Sequence, residues 1–260
     1  IKVIQNLKDK KFNSFIALEH IKYALNNKIE ESYQDVKSLL LEDEIKYNLS
    51  ETLKKYYELT NDISFLKECA ANLESQKAWD VINIILDNKI DNDFVRNLAI
   101  QYIESLNNDS MKYYLANSLN TLFKLNDSRA LKYYMNHFKD EYNNSLQLES
   151  YNNFNAIENF QDLLDIFDAI YLDKNFERSF NSASNVLNQC IINLSSNENT
   201  YTKIHEILII KREELNFQKD DNGIFFINIL IDLCENSYYT SMSKPLDFKE
   251  ALKKVEEILN

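Results

Sequence analysis

One glycine and one proline in 260 residues leave this chain few ways to fold. Ordinary usage at this length would supply roughly 18 Gly and 13 Pro. Tight turns between strands draw on Gly, Asn-Gly or Pro. All-β folds and folds built on repeated βα turns are therefore not expected. A phosphate-holding loop is excluded too, because it needs several glycines for the backbone to approach its ligand. What remains is an almost wholly helical protein.

The bulk numbers describe a folded chain. Hydrophobic residues make up 45% and charged residues 27%, a globular composition rather than a disordered one. A chain this long sits at the upper size for one core, or forms two domains. The net charge is −12, and only Arg96, Arg129, Arg178 and Arg212 carry guanidinium groups. Phosphate backbones are held by clusters of Lys and Arg. No nucleic-acid partner is expected, and no anionic membrane surface. Cys69, Cys190 and Cys234 are odd in number and form no Cys-x-x-Cys, so they read as buried thiols in a reducing compartment. The longest apolar stretch, Ile224 to Leu233, contains Asn228 and Asp232 and is too short to span a bilayer. With no signal peptide visible, a soluble cytoplasmic protein is expected. It starts at Ile1 rather than Met, as a piece of something longer would.

Apolar residues recur at helical spacing nearly throughout. Helices are predicted from Phe12 to Leu25, Glu30 to Leu41 and Ile45 to Leu59. Asn-Asp then recurs at Asn61-Asp62, Asn92-Asp93 and Asn126-Asp127, with a further copy at Asn108-Asp109. Apolar-periodic stretches follow from Ile63, Phe94, Ala130 and Met111. Asn and Asp are strong N-caps, because the side-chain oxygen accepts an orphan N–H of the first turn. The chain thus reads as helix, short polar turn, helix, and paired helices at this period are the mark of an α-solenoid. Beyond residue 143 the period blurs. Helices are predicted from Ala156 to Leu172, Phe176 to Leu194, Thr200 to Leu215, Ile224 to Tyr239 and Phe248 to Leu259. Breaks are expected from Asn216 to Gly223 and around Pro245, and Asp247 is expected to cap the last helix.

The segment Asp93-Phe94-Val95-Arg96-Asn97-Leu98-Ala99 resembles a HEAT-type repeat helix, and Leu125-Asn126-Asp127-Ser128-Arg129-Ala130 resembles the turn and second helix of such a repeat. The resemblance implies that Asp93 with Arg96, and Asp127 with Arg129, belong to the Asp and Arg positions that link adjacent repeats. The whole is also similar to the C-terminal helical sensor region of bacterial NACHT-type (STAND) NTPases. That likeness rests on residues 44–141 and on the pattern from Tyr238 to Leu252. It implies a cytosolic switch protein, in some cases an anti-phage defence factor, whose NTPase motifs lie outside this chain.

Catalytic patterns are scarce. His20, His137 and His205 are far apart, no Glu-x-x-His occurs and no Cys/His cluster forms, so neither a zinc nor a di-iron site is expected. Asp162, Asp165 and Asp168 share one helix face, which could hold Mg²⁺; the plain alternative is a solvated face opposite Leu163, Leu164, Ile166 and Phe167. Tyr pairs at 56–57, 113–114, 133–134 and 238–239 each point about 100° apart, so one of each should be partly exposed. Tyr114, Tyr134 and Arg129 are the candidates for an exposed protein-binding strip. Trp79 reads as core.

The fold expected is all-α: stacked antiparallel helical hairpins of HEAT or TPR type, right-handed, over residues 1–150. A less regular helical section over 151–260 packs on the same superhelix. The function expected is a non-catalytic protein- or peptide-binding, ligand-sensing domain of a larger cytosolic protein, without cofactor. The alternatives are a free-standing adaptor and a Mg²⁺-dependent helical enzyme.

Overall fold

A computed structural model describes residues 13–42, 45, 49–106, 113–137, 154–157, 159–172 and 180–242. Those residues form twelve α-helices and one short 3₁₀ turn, with no strand among them. The chain divides into two compact units, Ile1–Thr121 and Leu122–Asn260.

In the first unit α1 (Ser14–Asn26) leads through a 3₁₀ turn (Glu30–Ser32) into α2 (Tyr33–Leu41). Then come α3 (Ser50–Thr60), α4 (Ile63–Cys69), α5 (Gln76–Asp87) and α6 (Asn92–Ser105). Helix α7 (Leu115–Lys124) contains the division between units. Within the first unit α1 packs on α2 and α3, α2 on α4, α3 on α5, α4 on α5, and α5 on α6. These contacts join helices one or two places apart along the chain. Helix α5 lies at the centre and buries Ala78, Trp79, Val81, Ile82, Ile84, Ile85 and Leu86. Each such large side chain contributes about 1.5–3 kcal/mol relative to exposure.

The helix starts are capped as the residue types demand. Asn13, Asp62, Ser75 and Asp91 accept from the N–H of Ile16, Phe65, Ala78 and Phe94. The cap of α6 is therefore Asp91, and Asn92-Asp93 already lies in its first turn. Asn61 ends α3 in the left-handed conformation, and the next residue, Asp62, caps α4. The Asn108-Asp109 and Asp247 caps and the Phe248 helix lie outside the described residues.

With one glycine available, the helix ends take another route. Lys28, Asn61, Lys89, Asn126 and Lys219 all sit at φ between 51° and 56°. At four of them the following N–H bonds a carbonyl five residues back: Ile29 to Ala24, Ile90 to Ile85, Asp127 to Leu122 and Asp220 to Leu215. This is the Schellman closure, with Lys or Asn where glycine is usual.

The second unit holds α8 (Ala130–His137), α9 (Gln161–Leu172), α10 (Phe180–Ser195), α11 (Glu198–Gln218) and α12 (Asp221–Met242). Helices α10, α11 and α12 pack mutually, α9 lies on α10 and α11, and α8 lies on α9. The predicted division at 150/151 falls outside the described residues, and the compact units divide earlier. Phe123, at the end of α7, packs edge-on against Tyr134 and Phe154.

Several local expectations change: α9 begins at Gln161, and Ala156, its predicted start, is not helical. Helix α3 begins at Ser50, and Ile45 is buried but not helical. The predicted break at 216–223 shrinks to Lys219 and Asp220, and Gly223 is helical, inside α12. Its smallness serves packing: an added Cβ would lie 2.9 Å from Cδ2 of Leu215.

Candidate functional site

The best-formed recess near a sequence-predicted site residue is a cleft of about 410 Å³ in the first unit. Leu41 at the end of α2, Glu68 and Cys69 at the end of α4, Ala71, Asn72 and Glu74 in the α4–α5 turn, and Ser75 to Lys77 at the start of α5 line it. Tyr114, just ahead of α7, completes the wall. The cleft exists because α4 is short. It stops at Cys69, and the intervening turn opens before Ser75 caps α5.

Behind the wall is an aromatic cluster. The Tyr114 ring stacks on Trp79 with centroids 6.0 Å apart and meets Tyr102 edge-on. The Tyr102 hydroxyl accepts from the Tyr114 N–H at 3.2 Å. Trp79 is core, and its indole N–H donates to the Leu73 carbonyl at 2.8 Å. These contacts hold Tyr114 in place.

The floor holds a buried cation. Lys77 is 7% exposed and donates to the carbonyls of Leu40 and Glu42, each at 2.8 Å. Its ammonium thus sits on the C-terminal carbonyls of α2, where the helix dipole favours positive charge. Burial pushes the Cys69 thiol up to about 12, so it stays protonated in the wall. Burial raises Cys190 and Cys234 as well, and all three cysteines are buried and free. Glu68 and Glu74 are exposed at the rim.

The other expected site residues lie elsewhere. Tyr134 is 3% exposed and packs on Phe123, so it is a core residue and not part of an exposed strip. The exposure rule for Tyr pairs holds, but here Tyr133 is the outward member; in the earlier pair Tyr113 is 62% exposed and Tyr114 half-buried. Arg129 is half-exposed and grips Asp127 through Nε at 2.9 Å and Nη2 at 2.8 Å. Asp93 and Arg96 pair within one helix, three residues apart. Within each implied pair the contact is a local one.

Links between alternate helices use the Asp62 cap together with Lys37, Lys67 and Asp91, which the sequence reading passed over. Lys37 of α2 reaches Asp62, the cap of α4, at 2.8 Å. Lys67 of α4 reaches Asp91, the cap of α6, at 2.7 Å. The same lysines lie over Phe65 and Phe94. The hydrogen bond to Lys37 holds the Asp62 carboxyl below its ordinary range, and Asp62 in turn raises Lys37. Lys67 does the same for Asp91. The signal was present as Ser/Asp-x-x-x-Leu/Val-Lys/Arg, starting at Ser32, Asp62, Asp91 and Asp127. Its Leu/Val positions, Val36, Leu66, Val95 and Leu131, are all buried.

The Asp-rich face of α9 is not a common carboxylate site. Asp162 is buried, Asp165 accepts from Gln161, and Lys211 of α11 holds Asp168 at 2.8 Å. Among the described residues no group of three or more His, Cys, Asp or Glu is placed to hold a metal ion. No described helix is long and apolar enough to cross a membrane. No family model matches the chain, nor does any curated protein or solved structure.

Proposed function

We propose that this chain is a non-catalytic protein-interaction domain built of HEAT- or TPR-like stacked helical hairpins, which reads a protein or peptide ligand. One observation carries the reading. The Ser/Asp-x-x-x-Leu/Val-Lys/Arg register recurs at 32, 62, 91 and 127, and Lys–Asp links join alternate helices at two of its steps. Helix pairs stacked in this way bury a continuous core and present extended surfaces suited to protein ligands. The acidic balance of the chain suits a basic or polar partner.

The resemblance to NACHT-type NTPases extends the proposal. The domain would be the sensor arm of a cytosolic switch, with the NTPase encoded elsewhere in the parent protein. The coding sequence ahead of Ile1 tests this. A Gly-x-x-x-x-Gly-Lys-Ser/Thr loop there supports a sensor arm; a start codon at that point leaves a free-standing adaptor.

Binding is tested by capturing partners on the full chain and then titrating each purified candidate against it. A saturable one-to-one complex is expected. Failure of every candidate to bind directly at about 100 µM sinks the interaction reading. The enzyme alternative predicts that millimolar Mg²⁺ raises the melting temperature and that Asp165→Ala abolishes the shift. With Asp168 held by Lys211, no shift is expected.

A further inference from the structure

We infer that the cleft beside Tyr114 is the ligand-reading pocket of the first unit and takes a basic side chain, arginine or lysine, of a partner polypeptide. The inference rests on the protein-interaction reading and adds the place and the chemical class.

Size is the first ground. About 410 Å³ lies within the range of pockets that hold small ligands, and it exceeds what one arginine side chain fills. Charge is the second. Glu68 at the end of α4 and Glu74 in the α4–α5 turn are both exposed, and both line the recess. Two carboxylates so placed match a guanidinium or ammonium group. The one cation in the lining, Lys77, donates to the Leu40 and Glu42 carbonyls, which fixes its ammonium at the α2 terminus, so the lining carries two carboxylates against one ammonium.

The wall is the third ground. Tyr114 offers an aromatic surface to a cation, and its stacking on Trp79 and edge contact with Tyr102 fix the ring beforehand. A pre-set ring costs little ordering entropy on binding. Cys69 is 5% exposed in the same lining, and its neutral thiol adds a weak donor without an opposing charge. An acidic ligand would face both glutamates, and an apolar one would leave them desolvated and unpaired.

The test uses the full chain and three capped pentapeptides: Gly-Arg-Gly-Arg-Gly, Gly-Gln-Gly-Gln-Gly and Gly-Glu-Gly-Glu-Gly. Amide chemical shifts are followed by NMR at low salt. The Arg peptide should shift amides of residues 68–77 and 114, and bind at least about fivefold more tightly than the Gln peptide. The Glu peptide should not bind. Glu68→Gln with Glu74→Gln should remove that preference while leaving the spectrum and the melt unchanged, since both side chains are exposed. Added salt should weaken binding.

Equal binding by the double variant overturns the inference. So do shifts confined to other surfaces, and so does no binding at millimolar Arg peptide. None of these outcomes touches the broader reading, which fails only if captured partners show no direct complex.

Discussion

At the residue scale, the shortage of glycine shows most clearly in the helix ends. Lys28, Lys89 and Lys219 adopt a left-handed backbone that costs an L-residue about 1 kcal/mol. Lys89→Gly should therefore stabilise the protein by about 0.5 kcal/mol, after the greater freedom of glycine in the unfolded chain is subtracted. Lys89→Val should destabilise it. A denaturant midpoint that falls for the glycine variant would show that the Lys89 side chain matters more than its backbone. Lys77 poses the opposite problem, a buried cation on two carbonyls. Lys77→Met keeps the bulk and removes the donor. A loss of about 1–2 kcal/mol is expected from the orphaned acceptors. No loss would mean that burying the ammonium costs as much as its bonds return.

At the element scale, the first unit is tied by ion pairs that also cap helices. Asp62 has two jobs: it accepts from the Phe65 N–H at the start of α4 and binds Lys37 of α2. A double-mutant cycle with Lys37→Met and Asp62→Asn separates the two. The pair should couple by about 0.5 kcal/mol, near the middle of the range for partly exposed bridges. The Lys67–Asp91 pair is more exposed and should couple less. Equal or reversed couplings would show that burial does not set their strength. The Asp62 cap was legible in the Asn-Asp spacing, but the ion pairs were not, because Asn is roughly one residue in seven and marks many turns. The Lys or Arg five residues after Ser32, Asp62, Asp91 and Asp127 was the more specific signal. It was passed over because a solvated Lys and a bridging Lys look alike in sequence.

At the scale of the whole molecule, pH brings these contacts together. The folded carboxyls of Asp62, Asp91 and Asp220 lie below their ordinary range, held first by hydrogen bonds from Lys37, Lys67 and Tyr171 respectively. A depressed carboxyl stabilises the fold above its unfolded pKa, and that stability is lost as pH falls through the folded value. Asp80 works the other way, because burial raises it. The three lowered groups outnumber it. The melting temperature should hold from neutral pH down to about 4 and then fall. Lys37→Met should flatten the acid limb. An unchanged melt at pH 3 would show that these contacts contribute little.

Fold class was legible in the sequence, because the lack of glycine and proline is a property of the chain that no packing can reverse. Most helices were legible for a similar reason: apolar spacing and cap residues act within a few residues of one another. Burial of the three cysteines and Trp79 followed from their apolar neighbours. What packing decided is different in kind. Tyr134 is buried and Tyr133 turned outward because Phe123 lies against the Tyr134 ring. Asp168 pairs with Lys211, forty-three residues away. Gly223 is a packing residue because α11 folds back to within 2.9 Å of where its Cβ would be. The cleft beside Tyr114 arises from three segments that sequence spacing keeps apart, Leu41, residues 68–77 and Tyr114. Such features depend on which surfaces meet, and local preference carries no record of that.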